Sequence, residues 1–331
     1  MTHSETRTTQ GKSSGKLKLA LYWAASCGGC EIAVLEIGDK ILAVTEKADI
    51  LFWPCIMDFK YDSVRAMPDR HIDVCLFNGG IRNDEQEEIL KLLRKKSKTL
   101  IAFGSCAHIG GIPGLANFYS LNDLKSTVYL AGPSLDNPKG ILPQTDYKMP
   151  EGKVHIPAMH ETVKPIDMIV DVDYYIPGCP PYAERIWEAL QAVVSSKLPA
   201  KGSVIAAGEK SVCDECPFEK KEIRIKKFYR PHEIKPEPGW CLLEQGIICM
   251  GPATRSGCEA RCLQANMPCR GCYGPTPGTI DQGAAIIAAV GSILETDDDE
   301  EAARVINEIV DPAGTFYRFS LGASLLRRAK Q

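Results

Sequence analysis

Apolar positions fall in short continuous runs, with spaced stripes between them. Leu17–Trp23 (LKLALYW) is a run of the kind that fills a buried strand, and it stops at Ala24-Ala25-Ser26-Cys27. From Glu31 to Lys47 the residues Ile32, Leu35, Ile37, Ile41, Leu42 and Val44 recur at roughly helical spacing. Asp49–Trp53, Ile72–Phe77 and Thr99–Phe103 are further strand-like runs, followed by Pro54, Asn78-Gly79-Gly80 and Gly104-Ser105-Cys106. Asp84–Lys98 (DEQEEILKLLRKKSK) predicts a helix, acidic at its start and basic at its end as the macrodipole favours. After a turn-rich excursion at 110–165, Asp171–Ile176 returns as a strand ending in Pro177-Gly178-Cys179, and Tyr182–Ser195 reads as a helix. Strands alternating with helices predict an α/β fold with a doubly wound parallel sheet. Ligands of such sheets sit beyond the carboxyl ends of the strands, and Cys27 and Cys106 both lie just past one.

Beyond residue 200 this texture is lost. Eight cysteines fall between Cys213 and Cys272 among Pro, Gly and Arg, with little apolar period. That segment is expected to take much of its folding free energy from whatever its cysteines hold. Helical spacing resumes over Thr279–Leu294, Glu300–Val310 and Ala313–Lys330, interrupted by Asp297-Asp298-Asp299-Glu300. The expected organisation is a disordered polar tail (1–16), a sheet domain (17–200) and a small irregular domain with carboxyl-terminal helices (201–331).

Composition narrows the function classes. Lys plus Arg number 39 against 42 Asp plus Glu, a net charge of −3 with no basic excess, which excludes a dedicated nucleic-acid binder. The longest apolar stretch, Gly283–Leu294, is far short of the ~20 residues a membrane-spanning helix needs. The first sixteen residues carry neither the apolar stretch of a secretory signal nor a twin-arginine pair, which predicts a cytoplasmic protein. Fourteen cysteines in a reducing compartment then point to metal or redox chemistry rather than disulfides.

Cys27 and Cys30 (CGGC), Cys106 (GSCA) and Cys179 (PGCPP) stand on loops that the sheet is expected to bring to one edge. A thioredoxin-like pair would need only two of them. Four thiols among small residues better suit a four-ligand metal site, with room for an inorganic cluster and for N–H donors to its sulfides. Cys213, Cys216, Cys241, Cys249, Cys258, Cys262, Cys269 and Cys272 make two further sets of four, with CxxC pairs at Cys213/Cys216 and Cys269/Cys272. Structural zinc sites are the competing reading. A chain of iron–sulfur clusters accounts for all three sets together. Cys55 and Cys75, beside or within apolar runs, read as buried small hydrophobes. No GxGxxG or GxxxxGKS/T is present, so a flavin or nucleotide site has no sequence support.

Taken together, these motifs resemble the small subunit of [NiFe] hydrogenases. The likeness is carried by SCGGCE (Ser26–Glu31), GSCAHIGGIPGL (Gly104–Leu115), VDYYIPGCPP (Val172–Pro181), ICMGPATRSGCEARC (Ile248–Cys262) and MPCRGCYGP (Met267–Pro275). It covers about residues 17–280, and it implies a flavodoxin-like first domain and an iron–sulfur second domain. It also implies a separate large subunit that holds the nickel–iron centre, with no nickel in this chain. Three [4Fe–4S] clusters are implied. The proximal one would sit on Cys27, Cys30, Cys106 and Cys179. The medial one would sit on Cys258, Cys262, Cys269 and Cys272, and the distal one on Cys213, Cys216, Cys241 and Cys249. All-cysteine ligation and the stretch DILFWPCIMDFKYD (Asp49–Asp62) look most like the cytoplasmic, methyl-viologen-reducing group. That group implies delivery of electrons through an iron–sulfur adaptor subunit to a heterodisulfide reductase. The alternative is an electron-transfer module of a related complex without hydrogenase activity.

Three polar features have a double reading. Glu31 either tunes the proximal cluster or relays protons, or it is simply the acidic first turn of a helix. His108 either donates to a cluster sulfide or is a satisfied loop histidine. Lys220, Lys221, Arg224, Lys226, Lys227 and Arg230 form either a solvated face or a surface that steers an acidic partner.

Overall fold

The computed structural model describes residues 15–326. The expected disordered tail falls almost wholly outside the described residues, as does the end of the last expected helix. The central sheet has six strands: β1 (Leu17–Trp23), β2 (Ala48–Phe52), β3 (Ile72–Asn78), β4 (Ser97–Phe103), β5 (Tyr174–Ile176) and β6 (Ser203–Val204). All pair in parallel, in the order β2-β1-β3-β4-β5-β6. This is the flavodoxin-like winding, with one strand added at the far edge. The sheet thus takes in Ser203 and Val204, beyond residue 200.

Both faces of the sheet are buried, as parallel strands require. Leu19 and Leu21 of β1, Val74 and Leu76 of β3, and Ile101 and Phe103 of β4 face one layer. It is closed by Ala33 and Val34 of helix Gly29–Leu35, with Ile186, Ala189, Leu190 and Val193 of helix Ala183–Val194. Ala20, Tyr22, Cys75, Phe77, Leu100 and Ala102 face the other layer, where Ile89, Leu90 and Leu93 of helix Asp84–Lys96 cover them.

Several expected elements are corrected. The single helix over Glu31–Lys47 is two, Gly29–Leu35 and Lys40–Lys47, because Gly38 at φ 64° turns the chain between them. The excursion at 110–165 holds a helix, Leu121–Tyr129, opened by a capping box between Ser120 and Asp123. It also holds a hairpin, Asp146–Met149 with Gly152–His155, and the strand Met159–Lys164 pairs antiparallel with Ile81–Asn83. The helix expected from Ala313 is only Pro312–Phe316, followed by a 3-10 turn at Leu321–Ala323. Cys75 is buried in the sheet as expected, but Cys55 is exposed. Pro54 takes the chain out of β2, and the indole of Trp53 fills the buried place instead.

A further apolar cluster is built from residues between Val212 and Leu321. Ile225, Phe228, Leu242 and Leu263 of the cysteine-rich part meet Ile286 and Val290 of helix Gln282–Ser292, together with Phe316 and Tyr317. The region thus has an apolar core despite the little apolar period in its sequence. Its core partners are simply remote in sequence, and each such side chain contributes about 1.5–3 kcal/mol when buried. The last described turn also reaches back to the sheet domain. Gly110 (φ 95°) and Gly322 touch backbone to backbone, so that a Cβ on Gly110 would lie 2.9 Å from Gly322 Cα.

Asp173 ties the sheet's second half together. Its carboxylate accepts from Leu100 N–H (2.8 Å), Arg94 Nη1 (2.6 Å) and Lys201 Nζ, and its carbonyl accepts from Gly202 N–H (2.7 Å). Burial pushes the carboxyl up, but the hydrogen bonds from Arg94, Lys201 and Leu100 outweigh it and hold the group below its usual value. A lowered folded value means stability that is present above the unfolded value of about 3.9 and is lost as pH falls through the folded one. Asp173→Asn is expected to cost about 3 kcal/mol at neutral pH, because it removes the counter-charge of Arg94, which keeps only its bonds to the carbonyls of Asp171, Ser97 and Lys98. It should also flatten the acid limb of the stability curve. Urea unfolding at pH 7 and pH 3.5 would check this, and an unchanged acid limb would refute it.

Candidate functional site

The carboxyl ends of β1, β4 and β5 gather the first set of thiols. Cys27 lies on the loop after β1, and Cys30 in the first turn of helix Gly29–Leu35. Cys106 lies in the short helix Ser105–Ile109 after β4, and Cys179 on the loop after β5. Two backbone bonds lock the last two loops together, Gly104 N–H to Ile176 O and Ser105 N–H to Gly178 O, both 2.8 Å. The four sulfurs feel one another. Burial, then Cys106, Cys179 and Cys27 in turn, push the Cys30 thiol far above its ordinary value. Cys106 is pushed up to about 12 by burial and by Cys179 and Cys27.

Glycines keep this space open. Gly104 (φ 84°) stands where a Cβ would run into Cys30 Sγ, and a Cβ on Gly111 (φ 58°) would lie 2.5 Å from Cys106 Sγ. These are cradle positions, sized by sulfur on one side and reserved for glycine by the backbone.

The second set is Cys258, Cys262, Cys269 and Cys272. Cys272 is pushed up to about 12 by burial, then by Cys258, Cys179 and Cys262. It therefore faces both its own set and Cys179 of the first. Its carbonyl accepts a hydrogen bond from Ser105 Oγ, beside Cys106. Cys269, lifted mainly by burial, responds to Cys249 and Cys272.

The third set lines a cavity of about 300 Å³, in which Cys213, Cys216, Cys241 and Cys249 stand with Phe218, Leu242, Leu243, Leu263 and Ile293. Cys249 is pushed up to about 12 by burial, offset in part by N–H donors from Gly251 and Cys269. The Cys269 N–H to Cys249 Sγ distance is 3.3 Å, which joins the second set to the third. A Cβ on Gly251 would lie 3.1 Å from Cys213 Sγ and 3.5 Å from Cys249 Sγ.

The donor chemistry of these sets fits iron–sulfur clusters. The first offers four thiols beside space that Gly104 and Gly111 keep clear, and the third offers four in an apolar-walled cavity, with an N–H aimed at Cys249 Sγ. Other such bonds run from Gly29 to Cys27 Sγ (3.4 Å) and from Phe218 to Cys216 Sγ (3.5 Å). Among the described residues no group of three or more His, Cys, Asp or Glu is arranged to hold a single ion. Ligation must displace the protons that burial keeps on Cys30, Cys106, Cys249 and Cys272.

Glu31 does stand in the first turn of helix Gly29–Leu35, but it is buried there. It is 2 % exposed and accepts from Trp53 Nε1 and, at 3.4 Å, from Asn78 Nδ2. Burial pushes it up, and the two donors moderate the rise. Sequence reading missed Trp53 and Asn78, which arrive from the ends of two other strands. His108 packs on the Tyr175 ring at 4.7 Å between centroids, with Nδ1 unpartnered. Burial and then Arg255 lower it to about 4, so it is neutral at pH 7. Its described neighbours are Tyr175 of β5 and the loop at Gly274.

Residues 27–193 match the family model of the NADH ubiquinone oxidoreductase 20 Kd subunit. The chain is 40 % identical to the iron-sulfur subunit of an F420-non-reducing hydrogenase of Archaeoglobus profundus, over 94 % of this chain and 98 % of that one. It is 38 % identical to the corresponding F420-non-reducing hydrogenase subunit of Methanothermobacter thermautotrophicus, over 94 % and 96 % of the two chains. Among solved structures, a chain of an NAD+-reducing [NiFe]-hydrogenase in the H2-reduced state aligns with TM-score 0.48 and 33 % identity, covering 56 % of this chain and 94 % of that one.

Proposed function

We propose, from the premise that this chain belongs to the [NiFe] hydrogenase small-subunit family and within it to the iron–sulfur subunits of F420-non-reducing hydrogenases, that it carries electrons away from a large subunit's nickel–iron centre. The observation that supports this reading is the contiguity of the three thiol sets. Cys272 stands between the first and second, and the Cys269–Cys249 contact stands between the second and third.

In this reading Cys27, Cys30, Cys106 and Cys179 hold the proximal [4Fe–4S] cluster, at the sheet edge that faces the large subunit. Cys258, Cys262, Cys269 and Cys272 hold the medial cluster, and Cys213, Cys216, Cys241 and Cys249 the distal one. Such clusters, when bound, supply one-electron carriers. The chain's own residues fix the sulfurs, donate N–H groups to them and exclude water around them. The apolar walls of the third cavity, Leu242, Leu243 and Ile293, serve that last purpose. Exposed Trp23, Ile32, Leu35, Ile56 and Met57, on elements next to Cys27 and Cys30 or on the loop after β2, offer apolar surface for the large subunit.

An iron–sulfur adaptor and a heterodisulfide reductase-type acceptor complete the proposed path, in the cytoplasm. No helix among the described residues is long and apolar enough to cross a membrane. On the same reading the chain divides into a sheet domain and an iron–sulfur domain, with the junction just beyond β6.

Metal and acid-labile sulfide analysis of anaerobically purified protein tests the reading. About twelve iron and about twelve sulfide per chain are expected, four of each per cluster. Zinc without labile sulfide would sink the proposal.

A further inference from the structure

Between Lys220 and Lys235 seven basic residues stand against two acidic ones, in a chain whose net charge is −3. Two buried side chains, Ile225 and Phe228, anchor this segment. Backbone bonds hold it as well, from Ile225 N–H to Ile293 O and from Tyr229 N–H to Gly246 O, both 2.8 Å. The anchors leave Lys220, Lys221, Arg224, Lys226, Lys227 and Lys235 exposed. Among the described residues, Lys226 alone of these six has an ion-pair partner, Glu295 at 3.4 Å. Lys221 and Lys227 lie over the rings of Trp240 and Tyr229, which position them without cancelling their charge.

This charge borders the third thiol set. Arg224, Lys226, Lys227 and Lys235 line an open cleft of about 340 Å³ together with Tyr229 and Trp240. Glu244 lines both that cleft and the thiol cavity, and Lys220 lines the thiol cavity itself. The carboxylate of Glu244 is taken up by the N–H groups of Lys221 and Glu222 and by the Trp240 indole. The structure assigns this basic collar as the docking surface for an acidic redox protein, the carrier that takes electrons from the third thiol set. The assignment rests on the electron path proposed above. A positive rim around a redox group concentrates a negatively charged partner and turns it toward the group before contact. A basic carrier would be repelled.

The test uses the complex of this chain with its large subunit, supplied with hydrogen and either a small acidic ferredoxin or a basic c-type cytochrome. Raising salt from about 0.05 to about 0.5 M shortens the reach of exposed charges several-fold. Ferredoxin reduction should slow by about tenfold or more over that range, while cytochrome reduction should not slow. The triple change Arg224→Glu, Lys227→Glu and Lys235→Glu should lower the low-salt ferredoxin rate by about tenfold and flatten its salt dependence. Hydrogen/deuterium exchange should stay at the wild-type level. Arg224→Gln with Lys235→Gln is a milder pair that should shift rate and slope in the same direction if the triple variant misfolds. A folded variant with the wild-type ferredoxin rate and salt slope would overturn the collar. A wild-type complex that exchanges hydrogen yet reduces neither carrier would overturn the electron path instead.

Discussion

Replacing Cys213 by serine is expected to cut hydrogen-driven reduction of an external acceptor by about 100-fold or more, since even outer partners of a bound metal cost up to that much. Hydrogen/deuterium exchange at the large subunit should be spared. The reason is position. Cys213 belongs to the third thiol set, which touches the second through Cys249 and Cys269 and has no described contact with the first. Cys27→Ser should behave differently, because Cys27 shares its space with Cys30, Cys106 and Cys179 at the proposed large-subunit edge. Assembly, or both activities together, should fail in that variant. Exchange and acceptor reduction assayed side by side, with complex formation checked by size, separate the cases. If Cys213→Ser in an intact complex lost exchange as fully as Cys27→Ser, the proposed order of the sets would be wrong.

The second large effect is expected from a single methyl group. Gly104 has φ 84° and ψ 165°, a conformation essentially reserved for glycine, and its N–H is fixed to Ile176 O. Alanine there carries about 1–3 kcal/mol of backbone strain and drives its Cβ into Cys30 Sγ. Gly104→Ala should therefore lose about four of the expected iron atoms, one cluster's worth, while the second and third sets keep theirs. Gly291→Ala is the matched control. That position is inside a helix with nothing within 4 Å of the new Cβ, so alanine should retain all iron and add about 0.5–1 kcal/mol. Iron content and thermal unfolding measured on both variants decide the matter. A full iron complement in Gly104→Ala would show that the glycine is not guarding the site.

How much of this was legible in the chain depends on how locally each feature is encoded. The sheet was readable because β1, β3 and β4 are buried on both faces and so appear as unbroken apolar runs. Cys27, Cys106 and Cys179 were readable as neighbours because parallel strands deliver their following loops to one edge. The core of the cysteine-rich region was not readable. Ile225 and Phe228 have no periodic companions nearby, and they pack on Ile286 and Phe316, which come much later. The surroundings of Glu31 were equally hidden, since Trp53 and Asn78 reach it from separate strands. Cys55 misled because a proline after a strand signals the end of the strand but not which neighbouring side chain turns inward.

The contact between Gly110 and Gly322 also sets a clock. During synthesis a chain grows at roughly 5–20 residues per second, so Gly322 follows Gly110 by on the order of 10–40 s. Throughout that interval the turn after Cys106 is bare of the segment that will finally cover it. A growing chain thus passes through a stage in which the turn after Cys106 has yet to meet the segment that packs on it. Truncating the chain just before Leu321 would hold the protein at that stage, with Gly110 and Gly114 permanently uncovered.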